Sequence, residues 1–590
     1  MNKFILLFVF FFSTQLFTQT QNYEHTFSTY FGGNDFEQAR DLAVDKDGNI
    51  YIAGGTSSLD FPVTTGAYMT EYNNDGSSTV GNWGPMMAFV AKFSPEGKLL
   101  WSTLLGGPNY DRCYAVDVDK EGFVYVGGRA GGDFPTTAGA AQEDFFIGSN
   151  TKRNNLYGHQ NGFVTKLSPD GSEVIWSTYY GGDRIGFFRD IAVDEDGFVY
   201  GILNNVLGKP IGIDDDSFDD THNGGSDMVT VKFSQDGSEV LWASYTGGSG
   251  DDNGGPSIKV GKDKSVYVCG GTRSNDLPVT EGAVQTVYGG EGDMYVARFA
   301  PDGQSLIYCT YFGGSDTEVT ETHGLYVDHL GQAYVACGSS SKDARTTSNA
   351  YKPTTDTRDC LLFKLSTDGT ELLASTYFGG SEGEHPEGLF VDKDQNLYFG
   401  GETVSKDLPT TPNAPFPDFM GVTDAYIAKF NPDFSNLEFC TYYGGNDKES
   451  VRAFCLGEDG TIAISGQSHS QNLPTTNGAF QENHIKPNNK PNVFVSIFKL
   501  ATVSSVEESS TMNLTLYPNP TTSQISVDLG EGLLIAQYRV LDAEGREVLS
   551  GQGELNSIQV INIQPLSVGA YSIEITTSTG ELVSEKFLKQ

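Results

Sequence analysis

Residues Phe27–Gly33 read Phe-Ser-Thr-Tyr-Phe-Gly-Gly, a run of strand-forming residues that ends in a double glycine. Close copies follow at Trp101–Gly107, Trp176–Gly182, Trp242–Gly248, Tyr308–Gly314, Ala374–Gly380 and Phe439–Gly445. The second glycine recurs at intervals of 65 to 75 residues. Such a period marks a repeat architecture, in which each unit buries its apolar face against its neighbours.

The residues between two copies supply the rest of one unit. Asp41–Thr56 holds two apolar runs flanking the turn Lys46-Asp47-Gly48-Asn49, where Asp and Gly give hairpin chemistry. A loop follows around Pro62, a residue that cannot join a central ladder. Ala88–Phe93 and Leu99–Leu105 read as the third and fourth strands, so each unit predicts one four-stranded antiparallel blade. The array opens with a lone outer-type strand and stops at Val493–Leu500, a third strand with no fourth after it. The first strand is therefore expected to complete the last blade and hide an edge that would template aggregation. The fold class predicted for residues 22–500 is all-β, a seven-bladed β-propeller closed by its N-terminal strand.

Composition agrees with many short strands and tight turns: 71 glycines and 12% aromatic residues in 590. The net charge of −39 argues against nucleic acid as a partner, because phosphate binding needs clustered Lys and Arg. The first 21 residues carry Lys3, an apolar stretch Phe4–Phe12 and a polar end, the pattern of a secretory signal peptide. No other stretch approaches the length needed for a transmembrane segment. Seven cysteines exclude a complete disulfide framework. Cys309 and Cys440 fall where four of the other copies carry Ser and one carries Ala, so they read as small strand residues.

The phrases Ser-Thr-Tyr-Phe-Gly-Gly, Ala-Val-Asp-x-x-Gly-Asn-x-Tyr, Asp-Phe-Pro-x-Thr-x-Gly-Ala and Ala-Phe-Val-x-Lys together resemble the bacterial β-propeller repeat family known as SBBP. That resemblance implies a secreted or surface-attached propeller and hardly constrains activity. After a polar, acidic linker at 501–512, residues 513–590 change period and give about seven short alternating strands, expected as a small Ig-like β-sandwich. This segment resembles the C-terminal sorting domain of the Bacteroidetes type IX secretion system. The residues that carry the likeness are Tyr517, Pro518, Asn519 and Pro520, then Gly569, Tyr571, Lys586 and Lys589. It implies the outer-membrane translocon as partner, followed by release or attachment to surface lipopolysaccharide.

Strand order places a ring of side chains on one face of the propeller, five positions before each inner-hairpin Asp or its equivalent. The ring reads Arg40, Tyr114, Arg189, Pro256, His323, Glu387 and Arg452. Three arginines there are unusual in so acidic a chain and could hold a carboxylate or uronic sugar through charge-assisted forks. The alternative is pairing with acids of the preceding crossing, Asp35 and Glu37 for Arg40, Asp447 and Glu449 for Arg452. On the same face, the loops between second and third strands are longest in the first two blades and carry Trp83 and His159. No cofactor is expected. The densest acidic run, Asp214, Asp215 and Asp216, is a candidate for structural calcium, with a solvated loop as the alternative.

The expected function is a non-enzymatic binding or adhesion module for a glycan or protein ligand. A polysaccharide lyase or hydrolase on the same face, and a surface-layer component, are the competing readings. The eight histidines form no metalloprotease motif, and no nucleophile elbow is present.

Overall fold

The computed structural model describes residues 22–73, 85–147, 159–181, 186–206, 209–319, 323–485, 490–501, 514–529, 534–542, 546–578 and 582–590. The expected signal peptide, Trp83 and nearly all of the linker lie outside these residues. Every regular element among them is a strand, and no helix is long and apolar enough to cross a membrane. The chain divides into two compact units, Met1–Ala501 and Thr502–Gln590.

Seven antiparallel sheets make up the described part of the first unit. In chain order they span Glu37–Leu105, Arg112–Tyr180, Phe187–Thr246, Gly254–Phe312, Glu318–Phe378, Glu384–Tyr443 and Glu449–Leu500. We number them one to seven. The first strand of each sheet touches the first strand of the next, and that of sheet seven touches that of sheet one, so the inner strands form a closed ring. Tyr23–Phe31 joins sheet seven as its outer strand, pairing antiparallel with Asn492–Leu500 from Tyr23↔Leu500 to Phe31↔Val493. Neighbouring sheets bury one another's faces in a series of apolar clusters. One of these brings Phe27 and Phe31 of the closing strand against Ile50, Phe89 and Phe93 of sheet one.

The double glycine has a physical reason. Its second N–H donates to a carboxylate four residues on: Gly107 to Asp111 at 2.7 Å, Gly248 to Asp252 at 2.7 Å, Gly314 to Glu318 at 3.0 Å and Gly445 to Glu449 at 2.8 Å. Hydroxyls at the end of the second strand complete these acids, as Thr56 does for Glu37, Thr403 for Glu384 and Ser468 for Glu449. A Cβ on Gly106 would stand 2.7 Å from the Asp111 carboxylate, closer than real Cβ contacts allow. The glycines thus let a buried carboxylate lock the crossing from outer to inner strand.

Adjacent sheets are also stitched at the centre. Asp41 accepts from the Val116 N–H at 2.7 Å, Asp117 from Val193 at 2.8 Å and Asp190 from Ile258 at 3.0 Å. At the rim, the aromatic residue of five outer strands lies on a turn glycine of the next sheet: Phe27 on Gly97, Trp101 on Gly171, Trp176 on Gly237, Trp242 on Gly303 and Tyr308 on Gly369. All seven cysteines are buried free thiols, as small strand residues should be.

The second unit has two sheets. Thr515–Tyr517, Gln524–Asp528 and Ile558–Asn562 form one; Ile535–Leu541, Glu547–Gln552, Gly569–Thr577 and Leu582–Lys589 form the other. Ile525, Val527, Ile561, Val540, Ile573, Ile575 and Phe587 share one apolar core supplied by both sheets.

Candidate functional site

The ring expected from spacing falls on a structural irregularity of the inner strands. The ladder between first and second strands skips a residue between Ala39 and Asp41, Cys113 and Ala115, Phe188 and Asp190, Pro386 and Gly388, and Val451 and Ala453. The skipped residues are Arg40, Tyr114, Arg189, Glu387 and Arg452. A bulge adds an unpaired residue and re-aims its side chain, here repeated around the ring. In sheet four the skip spans Gly255 and Pro256. In sheet five His323 lies between two short strand pieces with φ 65°.

Arg40 and Arg189 converge on Tyr114, their Cζ atoms 4.9 and 5.3 Å from the ring centroid. Two arginines that spacing did not single out join them: Arg112 at 4.8 Å and Arg129 at 5.1 Å. Arg129 also lies 3.8 Å over Phe187, whose ring is 5.0 Å from that of Tyr114. Arg112 donates to Gln38, and Gln38 donates to Gln467 at 3.0 Å. The signal for Arg129 was present in the sequence, since the equivalent position is glycine in sheets one, four and five.

Most of this cluster is buried; Tyr114 is 4% exposed and Arg40 6%. Among the described residues no carboxylate comes within ion-pair distance of Arg40, and its Nε has no hydrogen-bond partner. Burial, then Arg112, Arg189 and Arg452, press the Arg40 pKa down to about 9. A guanidinium stays protonated in practice, so this pressure amounts to a demand for an anion. Burial alone would raise the Tyr114 phenol, but Arg112, Arg129, Arg40 and Arg189 together outweigh it and bring its pKa down to about 7.

The crossing acids Glu37, Glu449 and Asp35 have other partners among the described residues. Glu37 and Glu449 hold the hydroxyls of Thr56 and Ser468, Glu449 also holds the Gly445 N–H, and Asp35 pairs with Lys490. Arg452 instead meets Glu387 at 2.6 Å, with His385 Nδ1 3.3 Å from the same carboxylate oxygen. Glu387 is therefore spent on protein partners.

His323 belongs to a second buried group. Its Nδ1 is 3.5 Å from Asp190 and its Nε2 3.6 Å from Asp41, while Lys259 reaches Asp190 at 3.4 Å. Burial disfavours the imidazolium, but Asp41 and Asp190 more than compensate, and the His323 pKa rises. Asp41, Asp190 and His323 are the converging trio of potential metal ligands among the described residues. Lys259 and His323 both face these carboxylates, which supplies positive charge beside them within the protein.

His159 is exposed on its loop, where its carbonyl accepts from Gln160, which also donates to the Tyr110 carbonyl at 3.2 Å. Asp214, Asp215 and Asp216 are exposed, and Asp214 accepts the Asp216 N–H at 3.0 Å in a turn.

In the second unit the sorting residues meet around one groove. Asn519 donates to the Lys586 carbonyl at 3.0 Å and accepts from the Leu588 N–H at 3.0 Å. Lys589 Nζ donates to the Thr522 carbonyl at 2.7 Å, and the Tyr571 ring stacks on Phe587 at 5.7 Å. Gly569 pairs with Lys589 along the last ladder. Asn519, Asp542, Tyr571, Lys586 and Phe587 line a cavity of about 570 Å³. Tyr517, half-exposed, and Pro518 and Pro520 flank Asn519.

Residues 26–62 and 100–135 match the family described as β-propeller repeat, and residues 515–590 match the secretion system C-terminal sorting domain. A regulatory protein FlaEY of Caulobacter vibrioides is 24% identical over 305 residues, 49% of this chain and 29% of the relative, so the chain spans under a third of that protein's length. Among solved structures, a protein of unknown function from Dyadobacter fermentans is 11% identical, with a TM-score of 0.35 over 81% of this chain and 99% of the other. An ulvan lyase from a new family of polysaccharide lyases is 11% identical, with a TM-score of 0.39 over 75% and 93%. The β-propeller domain of the trilobed protease of Pyrococcus furiosus is 8% identical, with a TM-score of 0.35 over 74% and 91%. Repeat family and tail together identify the chain as a secreted or cell-surface β-propeller protein that carries the sorting tail of the type IX secretion system.

Proposed function

We propose that the secreted protein binds an anionic glycan through the arginine cluster around Tyr114. The observation that carries this reading is Arg40, a buried guanidinium with no carboxylate at ion-pair distance among the described residues and with Arg112, Arg189 and Arg452 as charged neighbours. A uronate carboxylate or a sulfate ester would supply the missing negative charge through forked hydrogen bonds. The exposed loop at His159, tied through Gln160 to Tyr110 beside the cluster, supports a polymer lying across this face.

The scaffold of this reading is a seven-bladed propeller in 22–500, supported by seven sheets with inner strands in cyclic contact. Residues 1–21 serve as signal peptide, 501–512 as linker, and 513–590 as an Ig-like sandwich, for which two sheets around one core speak. After export the protein stays in solution or is attached to lipopolysaccharide.

Affinity electrophoresis of the protein in gels containing polygalacturonate, alginate or chondroitin sulfate, with dextran as neutral control, tests the glycan reading. Retardation by an acidic polymer and not by dextran is expected. Arg40→Gln should weaken it about tenfold, the scale of a charge-assisted bond. Equal retardation by dextran, or none by any acidic polymer, would sink the reading.

A further inference from the structure

We infer that the arginine cluster and Tyr114 form a β-elimination centre that cleaves 4-linked uronate polysaccharides, with Tyr114 as catalytic base and acid. This rests on the anionic-glycan reading and adds a reaction to it.

Elimination next to a uronate carboxylate makes two demands. The carboxylate charge must be neutralised so that the C5 proton becomes acidic, and a base must stand beside it. The first demand matches guanidiniums brought from four strands, Arg40, Arg112, Arg129 and Arg189, each within 5.3 Å of one phenol ring. The second matches that phenol. Several other buried tyrosines have their hydroxyls engaged: Tyr179 donates to the Gly131 carbonyl at 2.8 Å, Tyr377 to Ser341 at 2.6 Å, Tyr442 to Ser405 at 3.0 Å and Tyr200 to Asp194 at 3.1 Å. The Tyr114 hydroxyl receives no hydrogen bond from any described residue, nor gives one.

The groups facing Tyr114 are Arg40 from sheet one, Arg112 from its own strand, Arg129 from the second strand of sheet two, and Phe187 and Arg189 from sheet three, with Tyr110 upstream. The nearby acids are occupied: Asp41 with Val116 and His323, Asp190 with Ile258, Lys259 and His323. The surroundings therefore favour phenolate close to neutral pH, as the depressed Tyr114 pKa indicates.

The step balances without water, metal or redox partner. The phenolate oxygen takes the C5 proton, and the electrons of that C–H bond form the C4–C5 double bond as the C4–O4 bond breaks. Tyr114, now protonated, returns the same proton to the departing O4. One polymer chain becomes a fragment with a 4,5-unsaturated uronate at its non-reducing end and a fragment with a free hydroxyl. Tyr114 is again phenolate.

The mature full-length protein is incubated with polygalacturonate, alginate, hyaluronan and chondroitin sulfate. Ultraviolet absorbance follows the unsaturated uronate, and affinity electrophoresis follows binding. At least one polymer that binds should yield the unsaturated product. Tyr114→Phe should keep binding and lower turnover about 10²- to 10⁴-fold, the usual weight of a general acid–base group. Arg129→Gln should shift the rising limb of the kcat/KM pH profile upward, because it removes a charge that favours the phenolate. Polymers that bind without yielding unsaturated product would overturn the elimination centre and leave the glycan site standing. Failure of every acidic polymer to bind would remove both. Full turnover by Tyr114→Phe would overturn the role of Tyr114.

Discussion

Phe434 occupies the turn of sheet six that glycine holds in sheets one to five, and the strand residue of sheet five that an aromatic would supply is Ala374; both are buried in one core cluster. In sheet two the same relationship runs the other way, with Gly171 at φ 68° beneath the indole of Trp101. The aromatic ring that fills the space between neighbouring sheets is supplied by the strand in one case and by the turn in the other. Phe434 accepts φ 58°, a left-handed conformation that costs a non-glycine residue about 1 kcal/mol.

This exchange predicts a specific coupling. Phe434→Gly relieves the backbone but empties the space, and should destabilise the protein by about 3 kcal/mol. Ala374→Trp alone overpacks the same space and should cost about 1–3 kcal/mol. The double variant recreates the Trp101–Gly171 arrangement and should recover most of both losses. Denaturant melts arranged as a double-mutant cycle measure the coupling. Additive losses would show that the two positions do not share the space.

Closure by the N-terminal strand predicts a different failure. Ser28 Oγ, Tyr443 Oη and Ser496 Oγ form a buried triangle with sides of 2.6 to 2.9 Å, and the Tyr30 hydroxyl donates to the Ser470 carbonyl at 2.6 Å. Removing 22–31 would strip these bonds and bare the ladder edge of Asn492–Leu500. The truncated protein should aggregate at concentrations where the whole chain is monodisperse, as light scattering can follow. A monodisperse truncation with an unchanged Tm would contradict closure.

Legibility followed the periodicity. The double glycine, the hairpin turns and the ring positions repeat at fixed offsets, so spacing alone located Arg40, Arg189 and Arg452. What spacing could not give was their partners. Glu37 and Glu449 sit three residues before Arg40 and Arg452, yet the carboxylates turn toward strand-end hydroxyls and, at Glu449, toward the preceding glycine. Arg452 finds Glu387 in the neighbouring sheet, 65 residues away. Arg129 lies in the second strand, outside the inner-strand offset that defines the ring, where the equivalent residue is glycine in sheets one, four and five and Gln467 in sheet seven. The bulges that aim the ring carry no residue signature; Arg, Tyr and Glu all occupy them.

The buried acids set a pH dependence. Burial raises Asp111 to about 7 and Asp227, Asp293 and Asp424 to about 6, against an ordinary value of 3.8. Between these limits the folded protein holds more protons than the unfolded chain, so stability falls as pH rises. His323, also raised, acts in the same direction. Asp190, held at about 2 against burial by Lys259 and His323, opposes them only below about pH 4. Urea midpoints should therefore be higher at about pH 5 than at about pH 7.5, and Asp293→Asn should flatten part of that slope. A midpoint that climbs with pH over this window would refute the assignment.

The tail makes the last prediction, and its geometry says which residues to change. Asn519 clamps the final strand at both the Lys586 carbonyl and the Leu588 N–H, so the first turn of the domain and its terminus form one surface. Removing 513–590 should leave the propeller folded and trapped in the periplasm, because the sorting domain is its export address. Asn519→Ala deletes only the clamp, two hydrogen bonds worth about 1 kcal/mol each. If the translocon reads the joined surface, this single change should slow export while the domain still melts cooperatively. If it reads the terminal strand alone, export should persist in Asn519→Ala and fail when Lys586 and Lys589 are changed. Fractionation of cells into periplasm, surface and medium separates these outcomes, and normal surface delivery of the truncation would show that the tail is not the address.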